Sequence, residues 1–312
     1  MNRIQDPTDK TIKSAIALLR SGKLVALPTE TVYGLAADAR NEEAVKAIYS
    51  VKGRPSHNPL IAHIFDPNDA GDYGVLNPTA HALIEAFWPG PLTLVLPKKT
   101  SNLSDIAGAG LDTLAMRCPD TIWRERFLVS GYRGPIYMPS ANRSGKISPT
   151  TAKHVEEDLG DDIALIVDGG ACENGIESTV LKMEDDHVVL LRPGAIPVEA
   201  LVPFISDLRL PEDSARPSAP GMLDSHYAPK AQVRLNATDK RNDEAYLGFG
   251  PTDIEADFNL SPSGDLKEAA QNLYAALRLL DNQPTIAVAH IPDKGLGEAI
   301  NDRLRRAAAD RE

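Results

Sequence analysis

Residues 23–63 read KLVALPTETVYGLAADARNEEAVKAIYSVKGRPSHNPLIAH, and no other stretch restricts the fold of this chain as much. The apolar run 24–27 has the length and flanks of a buried strand, and Pro28-Thr29-Glu30-Thr31 follows it as a polar turn. Asn41 then offers an N-cap to a helix over 42–51, with acidic residues in the first turn. A strand, a polar turn and a helix in this order open an α/β layer arrangement, in which ligands collect in the crevice outside strand ends. The stretch closes on Lys52-Gly53-Arg54-Pro55, read as an irregular loop bounded by glycine and proline.

Two cations around one glycine can converge on a single multiply charged anion, arginine as a planar fork and lysine as a point charge. Loops carry such groups because a rigid scaffold presents them without requiring them to pack. A phosphate-bearing ligand is the expectation. The formal net charge of −11 makes a protein held to nucleic acid by its overall field an unfavourable reading, so any cationic site must be focused. With 42% hydrophobic and 25% charged residues over 312 positions, the chain has the material for a buried core and two domains.

Further elements follow the same rhythm. Ile12, Ala15, Ile16 and Leu19 mark one buried face of a helix over 11–20. Strands are expected at 60–65, 92–97, 114–117, 136–138 and 164–167, with a hairpin from 177–181 and 188–191. Helices are expected at 81–88 and from Ser148 to Leu159. His63 sits within an apolar run just beyond the cationic loop, where a satisfied core histidine and a ligand-facing one are both open readings. Arg117 stands where its strand gives way to Cys118-Pro119 and is able to grip a carboxylate. The serine- and glycine-rich turn 139–145 before a helix start suits phosphate oxygens.

Near Leu210 the rhythm breaks into a segment rich in Pro, Ser and Ala that reads as a linker, although it carries His226-Tyr227-Ala228-Pro229-Lys230. Beyond it, strands at 245–249 and 285–290 alternate with helices at 265–280 and 297–308, a small Rossmann-like α/β unit without a G-x-G-x-x-G turn. The expected division is 1–207, a linker or lid over 208–231, and 232–312. Cys118 and Cys172 stand without the Cys/His spacing of a zinc site and are expected to be small buried hydrophobes; no metal-ligating residues are assigned. The N-terminus has no signal-like apolar region, no stretch reaches membrane-spanning length, and a cytoplasmic protein without membrane partners is expected.

The motifs PTETVYGL (28–35), KGRP…NPL (52–60), PGPLTLVL (89–96), DTLAMRCP (112–119), PSANRSG (139–145), ESTV (177–180), LRPG (191–194) and SHYAPKA (225–231) occur in this order. Together they resemble the threonylcarbamoyl-adenylate synthase family in its two-domain form. The likeness is dense over about 11–231 and continues into 295–308. It implies a YrdC-like twisted mixed sheet with a concave basic crevice, and a nucleotidyltransferase reaction. In that reaction L-threonine, bicarbonate and ATP give threonylcarbamoyl-AMP and pyrophosphate for a downstream transferase that modifies tRNA. Mg²⁺ would arrive on the nucleotide.

Carried over, the resemblance makes Lys52 and Arg54 catalytic. It puts threonine near Thr31, His63, Arg117, Met138 and Ser178. It puts ATP against Arg54, Asn58, Thr113, Ser140, Asn142, Ser148, Arg192 and Tyr227, with Tyr227 on a linker that closes as a lid. Met138 departs from the small residue more common in the family. A competing reading is an RNA-binding module whose groove is built from Lys52, Arg54, Arg117, Arg143 and Arg192; a third keeps the fold but makes a carbamoyl-adenylate from carbamoyl phosphate.

Overall fold

The computed structural model describes residues 3–211 and 227–309. In chain order the first part contains β1 Ile4–Gln5, α1 Asp9–Arg20, β2 Val25–Leu27, β3 Gly34–Asp38, α2 Glu42–Lys52 and β4 Ile61–His63. It continues through α3 Ala70–Tyr73, α4 Pro78–Phe87, β5 Leu92–Pro97, β6 Thr113–Arg117, α5 Arg124–Val129 and β7 Ile136–Tyr137. Then come α6 Ala152–Leu159, β8 Leu165–Val167, β9 Thr179–Met183, β10 Val188–Arg192, α7 Val198–Leu201 and β11 Leu208–Arg209. The second part has β12 Gln232–Arg234, β13 Glu244–Gly248, β14 Phe258–Asn259, α8 Leu266–Leu280, β15 Thr285–Val288 and α9 Leu296–Ala308.

The first eleven strands form one mixed sheet in the order β1-β8-β2-β3-β7-β4-β6-β5-β9-β10-β11. It is the YrdC-like α/β architecture the motifs implied. The register sets the site: β4 and β6 run parallel with His63 beside Arg117, and β5 is antiparallel to β6 and parallel to β9. Hence β9 begins, and its antiparallel neighbour β10 ends, at the edge where β4 and β6 end. That edge carries His63, Arg117, Ser178 and Arg192.

The second part is a fully parallel four-stranded sheet, β12-β15-β13-β14, packed with α8 and α9. Its core does not stop at the linker. Val32, Ile147 and Ile176 belong to the same buried cluster as Tyr227, Leu273, Tyr274 and Ile300, so the two units share hydrophobic surface. Gly175 packs against α8 so closely that a Cβ there would lie 2.4 Å from the Gln271 Cα. Among the described residues, no helix is long and apolar enough to cross a membrane.

Several sequence expectations need correction. Residues 34–38 were passed over between the turn and the helix, yet they form β3, antiparallel to β2. GLAAD has little intrinsic strand preference, and burial between two strands supplies it instead. Lys52 is not on a loop but is the last residue of α2; Gly53 at φ 61 ends the helix in the left-handed conformation, and only Arg54 lies beyond. Helix α6 starts at Ala152, because the Thr151 side chain caps the His154 N–H and leaves 148–150 outside the helix. Helix α4 starts at Pro78, three residues before expectation, under an Asn77 cap. Residues 208–209, expected to open the linker, pair with β10. Of the lid segment, residues 212–226, including Ser225 and His226, lie outside the described residues.

Candidate active site

Strand ends, the end of α2 and the segments after β2 and β7 enclose a crevice of about 600 Å³. Its walls include Thr31, Lys52, Arg54, His63, Arg117, Met138, Ser140, Asn142, Ser178, Arg192 and Tyr227, eleven of the residues expected from sequence. Three others do not line it. Asn58 is fully buried beneath Arg54, Ser148 is buried against Glu177, and Thr113 starts β6, about 13 Å along the strand from Arg117. Asn58 and Ser148 thus touch the walls from behind.

Lys52, Arg54 and Arg192 each donate to backbone oxygen, which fixes their direction without neutralising them. Lys52 Nζ donates to the carbonyls of Ser140 at 2.6 Å and Asn142 at 2.5 Å, tying the end of α2 to the 139–145 turn. Burial, then the neighbouring Arg54, hold its pKa well below that of an ordinary lysine. Arg54 donates through Nε to the Asn58 carbonyl at 3.1 Å and through Nη2 to Asn58 Oδ1 at 2.5 Å and the Pro59 carbonyl at 2.8 Å. Burial lowers even this guanidinium to about 10. Arg192 donates to the Ser178 carbonyl at 2.9 Å and its hydroxyl at 3.3 Å, while that hydroxyl lies 2.8 Å from Thr93 Oγ1. The two strands come this close because Gly194 has no side chain; a Cβ would stand 2.4 Å from the Ser178 carbonyl carbon.

Arg117 donates to Thr31 Oγ1 at 3.0 Å and to the Gly90 carbonyl at 3.2 Å. Its Nη2 also lies 2.6 Å from Glu30 Oε1, close but off-axis, so neither oxygen of Glu30 receives an aligned hydrogen bond. His63 is buried with Nδ1 3.1 Å from the Ile61 carbonyl. Burial and the adjacent Arg117 push its pKa down to about 3. The ring is therefore neutral, and an Nδ1–H donated to Ile61 leaves Nε2 as an acceptor. Met138 lies over Gly34, where a Cβ would meet its Cγ at 2.3 Å.

Arg143, expected in the alternative basic groove, is turned elsewhere. Its guanidinium pairs with Asp162 at 2.5 Å and donates to the Val51 carbonyl. Cys118 and Cys172 are buried thiols pushed up to about 12 by burial, in keeping with a packing role.

The first part of the chain, residues 17–194, matches the family model described as telomere recombination, and residues 195–309 match the one described as the C-terminal domain of threonylcarbamoyl-AMP synthase. The chain belongs to the threonylcarbamoyl-AMP synthase family. The threonylcarbamoyl-AMP synthase of Bacillus subtilis is 43% identical over 97% of this chain and 94% of its own length. That of Pyrococcus abyssi is 41% identical over 96% and 94%. The crystal structure of P. abyssi Sua5 complexed with L-threonine superposes with a TM-score of 0.89 at 38% identity, covering 99% of this chain and 97% of the other. E. coli YciO, at 20% identity and a TM-score of 0.55 over 62% of this chain, shares the fold of the first part. As a member of the synthase family this chain is an enzyme of the nucleotidyltransferase type, and the family uses ATP and L-threonine.

Sequence reasoning gave no role to two carboxylates at this synthase site. Glu177 lines the crevice and was read only as the start of a hairpin. It accepts from Ser148 at 2.6 Å, from Tyr274 at 2.8 and 3.0 Å, and from Arg303 Nε at 2.8 Å. Burial opposes its charge, but Arg303 and then Arg192 and the Ser148 hydroxyl outweigh burial and hold it at about 2. Glu30, the second, sits behind Arg117. An acidic residue at the very start or just past the end of an apolar strand was the available signal for both.

Proposed function

We propose that this enzyme condenses L-threonine, bicarbonate and ATP into threonylcarbamoyl-AMP and pyrophosphate, for use by a separate transferase that modifies an adenosine of tRNA. The observation that carries this is the convergence of Lys52, Arg54, Arg117 and Arg192, all buried, on one crevice. Four desolvated cations fit a reaction whose substrates together bring a triphosphate, a carboxylate and bicarbonate, and whose transition state gathers charge on phosphate oxygens.

In the proposed sequence the threonine nitrogen attacks the bicarbonate carbon, and water leaves as the carbamate forms. A carbamate oxygen then attacks the α-phosphorus of ATP, and the bond to the β-phosphate oxygen breaks to release pyrophosphate. No protein nucleophile is required, only alignment of the reactants. Arg117 takes the threonine carboxylate, with Thr31, Ser178, Met138 and the neutral acceptor Nε2 of His63 around its side chain. Lys52, Arg54 and Arg192 face the phosphates, with Ser140, Asn142 and Tyr227 completing the nucleotide wall and Asn58, Thr113 and Ser148 supporting it. Mg²⁺ would come with the nucleotide and would neutralise charge on its phosphates. The catalytic unit in this reading runs through Arg209, whose strand pairs with β10, with 210–231 the connection and 232–312 the second unit.

Pyrophosphate release from ATP, measured with the purified chain, should require both threonine and bicarbonate, and Lys52→Ala or Arg54→Ala should abolish it. Wild-type protein that releases none with both co-substrates present overturns the reading. In that case salt-sensitive binding of RNA would bring back the basic-groove alternative, from which the pairing of Arg143 with Asp162 already withdraws one cation.

A further inference from the structure

Arg303 is fully buried, on the face of α9 that also buries Ala299, Ile300, Leu304 and Ala307. A guanidinium in such a row is costly unless every donor is used. Its partners come mostly from outside its own unit. Nε donates to Glu177 Oε2 at 2.8 Å, Nη2 to the Pro193 carbonyl at 3.0 Å and Nη1 to Asp302 Oδ2 at 2.5 Å. The guanidinium carbon lies 5.1 Å from the centre of the Tyr227 ring, which also stacks on Tyr274 at 5.8 Å.

Arg303 does not line the crevice, but the groups it holds do or adjoin those that do. Glu177 and Tyr227 are wall residues, and Pro193 follows Arg192. Through Glu177 the contact extends to Ser148. We infer that Arg303 is a positioning residue for the nucleotide side of the crevice, so that the second unit completes the active site instead of only stabilising the first. This rests on the synthase reading, in which Tyr227, Arg192 and Ser148 belong to the ATP half.

A second bridge between the units separates this role from adhesion. Arg278 on α8 pairs with Asp158 at 2.6 Å and donates to the Ile147 carbonyl, and neither partner lines the crevice. It is the control.

The test is steady-state pyrophosphate release by the full chain with ATP, threonine and bicarbonate, alongside thermal unfolding. Silence of the wild type removes the synthase reading itself; the comparisons that follow use active wild type. Arg303→Met should raise KM for ATP by about tenfold or more and leave KM for threonine within about threefold, since a buried charge-assisted contact is lost on one side of the site only. Arg278→Met should lower Tm yet leave KM for ATP within about twofold. A folded Arg303→Met enzyme with unchanged KM for ATP, or with both KM values raised alike, overturns the inference. Should that variant fail to unfold cooperatively, Tyr274→Phe carries the test. It removes the donor to both Glu177 oxygens and keeps the ring on Tyr227, so KM for ATP should rise about threefold or more, and no change overturns the inference.

Discussion

Nη2 of Arg117 lies 2.6 Å from Oε1 of Glu30, and both side chains are more than nine-tenths buried. The carboxylate supplies the countercharge that a substrate carboxylate would otherwise supply. Glu30→Gln should therefore lower stability without ligand by about 3 kcal/mol, the scale for breaking a buried pair from one side. It should also bind threonine more tightly, by about threefold or more, because the uncompensated Arg117 gains a new anion. Urea unfolding with and without threonine checks both signs: a larger threonine-induced stabilisation in the variant than in the wild type is the expected outcome.

His63 gives a pH signature. Its pKa is about 3 in the fold against 6.5 for an ordinary histidine, so the unfolded chain binds a proton that the folded chain refuses. Stability contributed by this group is present above pH 6.5 and is lost as pH falls below it, at up to about 1.4 kcal/mol per pH unit. Glu177, held at about 2 against 4.5, adds a loss of the same sign only below pH 4.5. Between pH 6.5 and 4.5 the wild type should thus lose about 2–3 kcal/mol more than His63→Gln. Denaturant midpoints across that window measure the difference.

Lys52 ties two segments through two backbone carbonyls. Lys52→Met keeps much of the side-chain volume but leaves both carbonyls without their donor, which should cost about 2–4 kcal/mol. Pyrophosphate release should fall by about a hundredfold or more, as expected when an electrostatic group at the reacting phosphates is removed. Chemical unfolding and single-turnover kinetics read the two effects separately.

Gly34 and Met138 form a size pair. Gly34→Ala drives a methyl to 2.3 Å from Met138 Cγ, near the root of that side chain, and overpacking of this kind costs about 1–3 kcal/mol. Met138→Ala relieves the clash. The double variant should be more stable than Gly34→Ala alone, a coupling that a double-mutant cycle on unfolding free energies detects.

Much of this arrangement was legible beforehand because local chemistry marks it. Asn41 and Asp265 cap the helices at which they were read or bordered, and the apolar faces of α1, α8 and α9 are the buried ones. Site residues were found through polar groups beside short apolar strands. What escaped was whatever lacked a local mark. Strand β3 is alanine-rich, and the two-residue strands β1 and β11 have no length over which alternation can register. Arg303 left one trace, a charge at a position where the helical period demands an apolar residue.

The sequence by itself determined the alternation of strands and helices, the cations of 52–54, 117 and 192, and the likeness to a synthase family, all properties of neighbours along the chain. Only the tertiary structure decided that Asn58 and Ser148 support the walls instead of lining them, that Glu30 accompanies Arg117, and that Arg303 reaches Glu177 across 126 positions. The reason is physical. A buried charge must find a partner wherever the fold brings one, and sequence distance carries no information about which partner that is.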